Sequence, residues 1–350
     1  MTGDLSKEIL TLAEDGTIKQ LESKWFNVSL SNFGTTTNNV ERQSLGLDVF
    51  WSLIVFSFGA PLIILAIFVI QNRATEVGME HGCFDMAGLA AYMRGMVDAG
   101  PTRSGHRTPT VIVEAPVNGI DAAHVRYNAW QFRQILGRGV HGILLCQAET
   151  ADAVRAFVES CRYPHNTIGV DPAIPSPMAR MEGAIRSRDG GTDPAGRKLL
   201  GIGTRGRGSE TTAAPVWGLS TEEYLERCDP WPLNPKGELL LGVKLESPEG
   251  IANCEQILAV PGLGFAEIGP GDLSLSLGYL TIPREPYPKE MQTARDRVLA
   301  ACRHNNIAFL QGCTPDNITA RIDEGVRVIA GHSEAAAIKG RAHQKRKLPV

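Results

Sequence analysis

From residue 75 onward, short apolar runs alternate with segments of helical period, and that alternation restricts the fold more than any other feature of the chain. Strand-like runs fall at Glu76–Met79, Thr110–Glu114, Gly142–Leu145, Leu199–Ile202, Leu239–Leu245, Phe265–Ile268, Ile307–Gln311 and Val326–Ala330. Between most of them lie amphipathic helices. Met86–Val97 carries apolar residues at Met86, Leu89, Met93 and Met96, Ala122–Leu136 at Val125, Ala129, Phe132 and Leu136, and Ala151–Ser160 at Val154, Phe157 and Val158. Strands separated by a helix pair in parallel, because no hairpin joins them. Eight such runs predict an α/β protein built as a (β/α)8 TIM-type barrel.

The stretch Leu239–Tyr279 concentrates the chemistry. Its first run stops at a carboxylate, Glu246, before the turn signal Ser-Pro-Glu-Gly and a helical segment with Ile251, Ile257 and Leu258. The second run, Phe265–Ile268, ends in Gly-Pro-Gly and then Asp272. Two neighbouring strands thus each carry a carboxylate at the C-terminal end, where α/β barrels build their sites. Either residue alone reads equally well as a helix or loop cap. The pair, joined by one strand–helix–strand unit, suits a hard divalent cation such as Mg²⁺ or Mn²⁺.

Composition narrows the alternatives. Charged residues make up 21% of the chain and the net charge is -3, which gives no basic surface for nucleic acid. Seven cysteines, none in a C-x-x-C pair, predict reduced thiols rather than a disulfide framework or a zinc ribbon. No phosphate-cradling G-x-x-x-x-G-K-[ST] loop occurs. The segment Gly203–Gly208 reads as a solvated cationic loop or an anion holder. Pro172–Pro235, rich in Pro, Gly and Arg, reads as an insertion over the site or a subunit contact, with Ser187–Arg197 a surface loop.

The first seventy-odd residues are of another kind. Residues 1–46 read as short amphipathic helices, broken at Asp15-Gly16, and a polar linker. Within residues 47–73, Val49–Ile70 is a run of 22 residues without a charge. As a helix it spans about 30 Å of hydrocarbon, so a single transmembrane helix is expected there. Arg42 and Arg73 flank it almost evenly and leave its orientation open.

Two resemblances emerge. IKQLESKWF, a polar stretch and then LGLDVFWSLIVFSFGAPLIILAIFVIQNR resemble the C-terminal tail and last transmembrane helix of an ionotropic glutamate receptor, without its pore or ligand-binding residues. The body, about Val77 to Ala337, resembles the HpcH/HpaI aldolase/citrate lyase family. VGMEHGCFDMAGL, the RYP at Arg162–Pro164, LESPEGI and FAEIGPGDLSLSLGY carry this second likeness. The family includes class II metal-dependent pyruvate aldolases such as 2,4-dihydroxyhept-2-ene-1,7-dioate aldolase. It implies a TIM-type barrel in trimers or hexamers and reversible aldol cleavage of a 4-hydroxy-2-oxo acid to pyruvate and an aldehyde. Glu246 and Asp272 match the ligands of a divalent metal (Mg²⁺, Mn²⁺ or Co²⁺), and His81 matches the acid/base. Gly269, Pro270 and Gly271 match the loop lining the substrate. The metal would serve as Lewis acid for the enolate, and His81 would take the 4-hydroxyl proton.

Three positions depart from the family. Lys244 stands where a Gln is common, Gly78 where an Asp pairs with the histidine, and Glu114 where an Arg contacts the oxo group. Lys244 is therefore a candidate for binding a substrate carboxylate, or for a Schiff base if its surroundings are apolar. Arg126 and Arg205 are the nearest substitutes for the missing arginine, and His332, after the last strand, is a further candidate for touching substrate. The family's first strand and helix have no counterpart, so the barrel is expected to lack them unless Leu199–Ile202 fills the gap. The sequence thus predicts a membrane-anchored carbon–carbon lyase with its barrel in the cytoplasm. The alternatives are a catalytically impaired fusion of two unrelated genes and a receptor-related membrane protein.

Overall fold

Strand β2 (Ile112–Asn118) alternates half-buried and buried side chains along its length, and its two faces show how the whole sheet is layered. Val113, Ala115 and Val117 point to the helices and join the main core with Val125, Ala129 and Phe132. Ile112 points the other way, into a smaller inner cluster with Leu144, Leu240, Phe265 and Leu310. Because side chains alternate with period two, every strand has an outer face against helices and an inner face against other strands.

The remaining strands are β1 (Glu76–Gly78), β3 (Gly142–Cys146), β4 (Pro230–Trp231), β5 (Leu239–Lys244), β6 (Phe265–Glu267), β7 (Ala308–Gly312) and β8 (Val326–Ala330). They form one eight-stranded sheet in the order β1-β2-β3-β5-β6-β7-β8, with β4 beside the start of β5. Every pairing is parallel. Helices α1 (Met86–Asp98), α2 (Ala122–Leu136) and α3 (Ala151–Cys161) follow β1, β2 and β3. Each starts where the sequence supplies a cap: Asp85, Asp121 and Thr150 accept N–H groups of the first turn. Further along come α4 (Pro177–Met181), α5 (Glu210–Trp217), α6 (Thr221–Arg227), α7 (Pro248–Ala252) and α8 (Cys254–Leu258). The last are α9 (Pro270–Ser276), α10 (Lys289–His304), α11 (Ile318–Asp323) and α12 (Glu334–His343).

This computed structural model describes residues 76–102, 107–183, 190–194, 198–330 and 334–345, all within the unit Ile67–Val350. The uncharged run at 49–70, the N-terminal helices and His332 lie outside the described residues, as does most of Ser187–Arg197. Among the described residues no helix is long and apolar enough to cross a membrane. Nor does any described strand join β8 to β1. Among the described residues the sheet is open at the place where a first strand was expected to be missing.

Two expectations are corrected. Leu199–Ile202 does not enter the sheet; Leu200 makes only an isolated bridge with Val170. The segment instead docks on α3, where Gly201 N–H donates to Glu159 Oε1 at 2.6 Å and Arg205 N–H to Arg162 O at 2.9 Å. The eighth strand is Pro230–Trp231, hidden by its two-residue length, its own proline and the proline that follows it. Gly203–Gly208 is solvated at Thr204 and at Gly206–Gly208, as expected, but its central cation is not part of that surface. Arg205 is fully buried, with its guanidinium 4.5 Å from the Tyr163 ring centroid and bonded to Tyr224 Oη at 3.0 Å.

Beside it, Arg162 and Asp229 form a bidentate pair at 2.7 and 3.1 Å, both buried. The Asp229 carbonyl also accepts from Leu239 N–H, so this pair locks the insertion to the start of β5. Asp229→Ala leaves a buried guanidinium without a counter-charge and should cost about 3–5 kcal/mol in denaturant unfolding. A loss below about 1 kcal/mol, typical of solvated pairs, would contradict this account.

Candidate active site

On the inner face, two residues beyond the apolar layer, the same alternation delivers polar side chains. Ile112 is followed by Glu114, Leu144 by Cys146 and Phe265 by Glu267. Leu240 leads through Gly242 to Lys244 and Glu246. Gly242 is bare because a Cβ there would fall onto the Phe265 ring. The C-terminal ends of the strands therefore close on a layer of carboxylates around one lysine.

Lys244 Nζ donates to Glu114 Oε1 at 2.5 Å and to Glu80 Oε2 at 2.9 Å, with Glu267 Oε1 at 3.8 Å. Its side chain is only 7% exposed. Burial works against the charge, but the Cys146 sulfur and the Glu114 and Glu80 carboxylates outweigh it and lift the pKa above the ordinary lysine value. A Schiff base needs a neutral amine in an apolar pocket; Lys244 is instead an ammonium among carboxylates. The three departures meet here, since a Cβ on Gly78 would come within 3.0 Å of Glu114 Oε2. Glu114 does not point at an open oxo site but is neutralised by Lys244.

Glu246 is 2% exposed. One oxygen, Oε1, accepts from Gln147 N–H at 2.8 Å. Gln147 has a left-handed backbone, φ 46°, a strain of the sort found at functional sites. The other oxygen, Oε2, is buried without a partner. Burial, then the neighbouring Glu80 charge, push the carboxyl up to about 8, against Lys244 and the Gln147 N–H. Gly269 lies directly over this oxygen and a Cβ there would collide with it and with Lys244 Cδ. Ser276 of α9 donates to the Glu246 carbonyl at 3.0 Å and fixes the helix on the strand end.

Glu80 repeats the pattern of Glu246. Oε2 is taken by Lys244, while Oε1 is buried and unpartnered. His81, 68% exposed, holds Asp272 Oδ2 through Nε2 at 3.0 Å and lies 3.6 Å from Glu80 Oε2. Asp272 thus orients the histidine that Gly78 leaves without a partner. Glu80, His81 and Asp272 bring ligand atoms within 4.8 Å of one another, and so do Glu80, Cys146 and Glu246. Two buried carboxylates, each with one oxygen anchored and one orphaned, are a donor set that fits a divalent cation.

Of the residues read from the sequence, Glu246, Asp272, His81, Lys244 and Gly269 converge on this one locus, and Pro270 and Gly271 open α9 beside it. Arg126 does not reach it: the guanidinium lies 3.8 Å from Glu159, on the helix layer. Arg205 packs on the residue after α3, at the opposite end of the strands. His141 is structural, its Nδ1 accepting from Val111 N–H and its ring stacked on Trp217. Cys146, Gln147 and Glu267 were not singled out from sequence. Their signal was the period-two phase of β3 and β6, which puts Cys146 and Glu267 on the inner face.

Residues 117–334, more than half of the chain, match the model of the HpcH/HpaI aldolase/citrate lyase family. A hydroxypyruvate/pyruvate aldolase of Roseobacter denitrificans is 26% identical over 201 residues, covering 57% of this chain and 60% of its own length. A 4-hydroxy-2-oxo-heptane-1,7-dioate aldolase of Escherichia coli is 26% identical over 178 residues, covering 51% and 50%. The chain thus spans about half to three-fifths of the length of these relatives. A solved HpcH/HpaI family protein of Burkholderia cenocepacia superposes with a TM-score of 0.50 at 23% identity, over 77% of this chain and 82% of that one. That likeness supports the fold. None of these matches shows the receptor-tail resemblance of residues 1–73. With the family model covering β3 to β8 and both strand-end carboxylates, the chain belongs to the HpcH/HpaI aldolase/citrate lyase family.

Proposed function

We propose that the chain is a carbon–carbon lyase that cleaves a 4-hydroxy-2-oxo acid reversibly to pyruvate and an aldehyde at the Glu80–His81–Glu246–Asp272 locus. The single observation that carries this reading is the pair of orphaned buried oxygens, Glu80 Oε1 and Glu246 Oε2. The names of the relatives point to the same substrate class.

A divalent cation bound there supplies Lewis-acid stabilisation of the negative charge that develops on the 2-oxo group as the C3–C4 bond breaks. Glu246, Glu80 and Asp272 are the residues to hold it. Proton transfer falls to His81. With the Nε2 hydrogen donated to Asp272, the ring keeps its lone pair on Nδ1, which faces the task of removing the 4-hydroxyl proton. Lys244 stays charged and keeps Glu80 and Glu114 in place.

Pyruvate release from a 4-hydroxy-2-oxo acid should require Mn²⁺ or Mg²⁺ and stop with EDTA. Glu246→Ala should lower kcat/KM at least on the order of 100-fold, and His81→Ala by about 100- to 10,000-fold. Turnover that survives both EDTA and Glu246→Ala would contradict the metal-dependent reading. The edge between β8 and β1 that no described strand fills favours one other reading, an aldolase-like scaffold without turnover. That scaffold would bind no Mn²⁺ in calorimetry and would be cut rapidly by protease.

Lys244→Met removes the counter-charge of two buried carboxylates. The thermal midpoint of the metal-free protein should fall, and added Mn²⁺ should restore part of the loss by compensating the same charges. An unchanged midpoint would show that the pocket does not need the ammonium.

The uncharged run at 49–70 supports a single membrane tether, and we propose that the lyase part lies on its cytoplasmic side. The full chain should then stay with membranes through alkaline carbonate extraction; recovery in the supernatant would exclude the tether.

A further inference from the structure

Cys146 ends β3 on the inner face, between the strands that carry Glu114 and Lys244. It is fully buried. Its Sγ makes a weak contact, 3.9 Å, with Leu144 O and interacts with the Glu80 side chain. Of the described cysteines it alone falls in a group of metal-capable donors, with ligand atoms of Glu80, Cys146 and Glu246 all within 4.8 Å of one another. The two carboxylates are the ones with an orphaned buried oxygen. Their anchored oxygens are already committed to Lys244 and Gln147 N–H, which leaves Glu80 Oε1 and Glu246 Oε2 for a ligand.

We infer that Cys146 is a third protein donor in this pocket, a sulfur ligand that biases the site toward borderline transition ions such as Co²⁺, Fe²⁺ or Zn²⁺ over Mg²⁺. The inference rests on the divalent-cation reading of the same site. As the sulfur–metal bond forms, the S–H bond breaks and the proton leaves to buffer. Mg²⁺ gains little from such a donor because it seeks hard oxygens in an octahedron, whereas thiolate favours softer ions. The pocket is thereby divided: Glu80 and Glu246 contribute charge, and Cys146 contributes selectivity.

Co²⁺ titration of the full chain tests this without any turnover. Calorimetry reports whether Co²⁺ binds, and near-ultraviolet absorption reports whether a sulfur-to-cobalt charge-transfer band accompanies it. The band should appear in the wild type and in Cys83→Ser, whose exposed thiol lies two residues from His81, and vanish in Cys146→Ser. Cys146→Ser should also weaken Co²⁺ binding on the order of tenfold or more while leaving Mg²⁺ nearly unchanged. Should Cys146→Ser fail to fold, zinc X-ray absorption of the wild type decides alone, through a sulfur neighbour at about 2.3 Å. Co²⁺ binding without the band, or a band lost in Cys83→Ser, overturns the sulfur ligand and leaves the metal centre standing. No Co²⁺ binding at all overturns both.

Discussion

A buried ammonium bridging two carboxylates is the interaction on which the inner face depends. Lys244 on β5 reaches across β3 to Glu114 on β2 and to Glu80 beyond β1. Between them β3 presents only the short Cys146 side chain at this level. A buried ion pair seldom adds stability over apolar packing of the same volume. The layer below it shows the alternative, since Ile112, Leu144, Leu240, Phe265 and Leu310 fill the same face with hydrocarbon. Replacing hydrocarbon by charge at the strand ends is what a binding site requires and a core does not.

The charge does not balance. Glu80, Glu114, Glu246 and Glu267 gather around a single lysine, Asp272 adds a further carboxylate, and His81 reaches only Glu80 and Asp272. Burial and the neighbouring Glu80 charge keep Glu246 well above the usual carboxylate range. Its free oxygen, and that of Glu80, have no donor among the described residues. Desolvated acceptors of this kind are costly, and a divalent cation satisfies several at once. Family membership, the locus at the C-terminal ends of parallel strands and this electrostatic imbalance converge on the same few residues.

Much of this was legible in the sequence, for a physical reason. Alternation of strand and helix leaves only parallel pairing, so α2 and α3 were readable from their period, and Glu246 and Asp272 from their place after apolar runs. Leu199–Ile202 failed because a strand-like composition also suits an extended segment that docks on a helix, and Glu159 and Arg162 supply the polar partners for it. Pro230–Trp231 was missed because two residues carry no periodicity. Arg205 was misread because its burial depends on Tyr163 and Tyr224, far away in sequence. Cys146 and Glu267 needed the phase of each strand, which emerges only when the inner apolar cluster is known.

The most direct test of the account is an anomalous difference map from crystals of this chain grown with Mn²⁺. The account predicts one strong peak within coordinating distance of Glu246 Oε2 and Glu80 Oε1, with Asp272 alongside and Lys244 still bound to Glu114. A map without a peak there, or with Mn²⁺ held elsewhere while Lys244 turns onto Glu246, would contradict it.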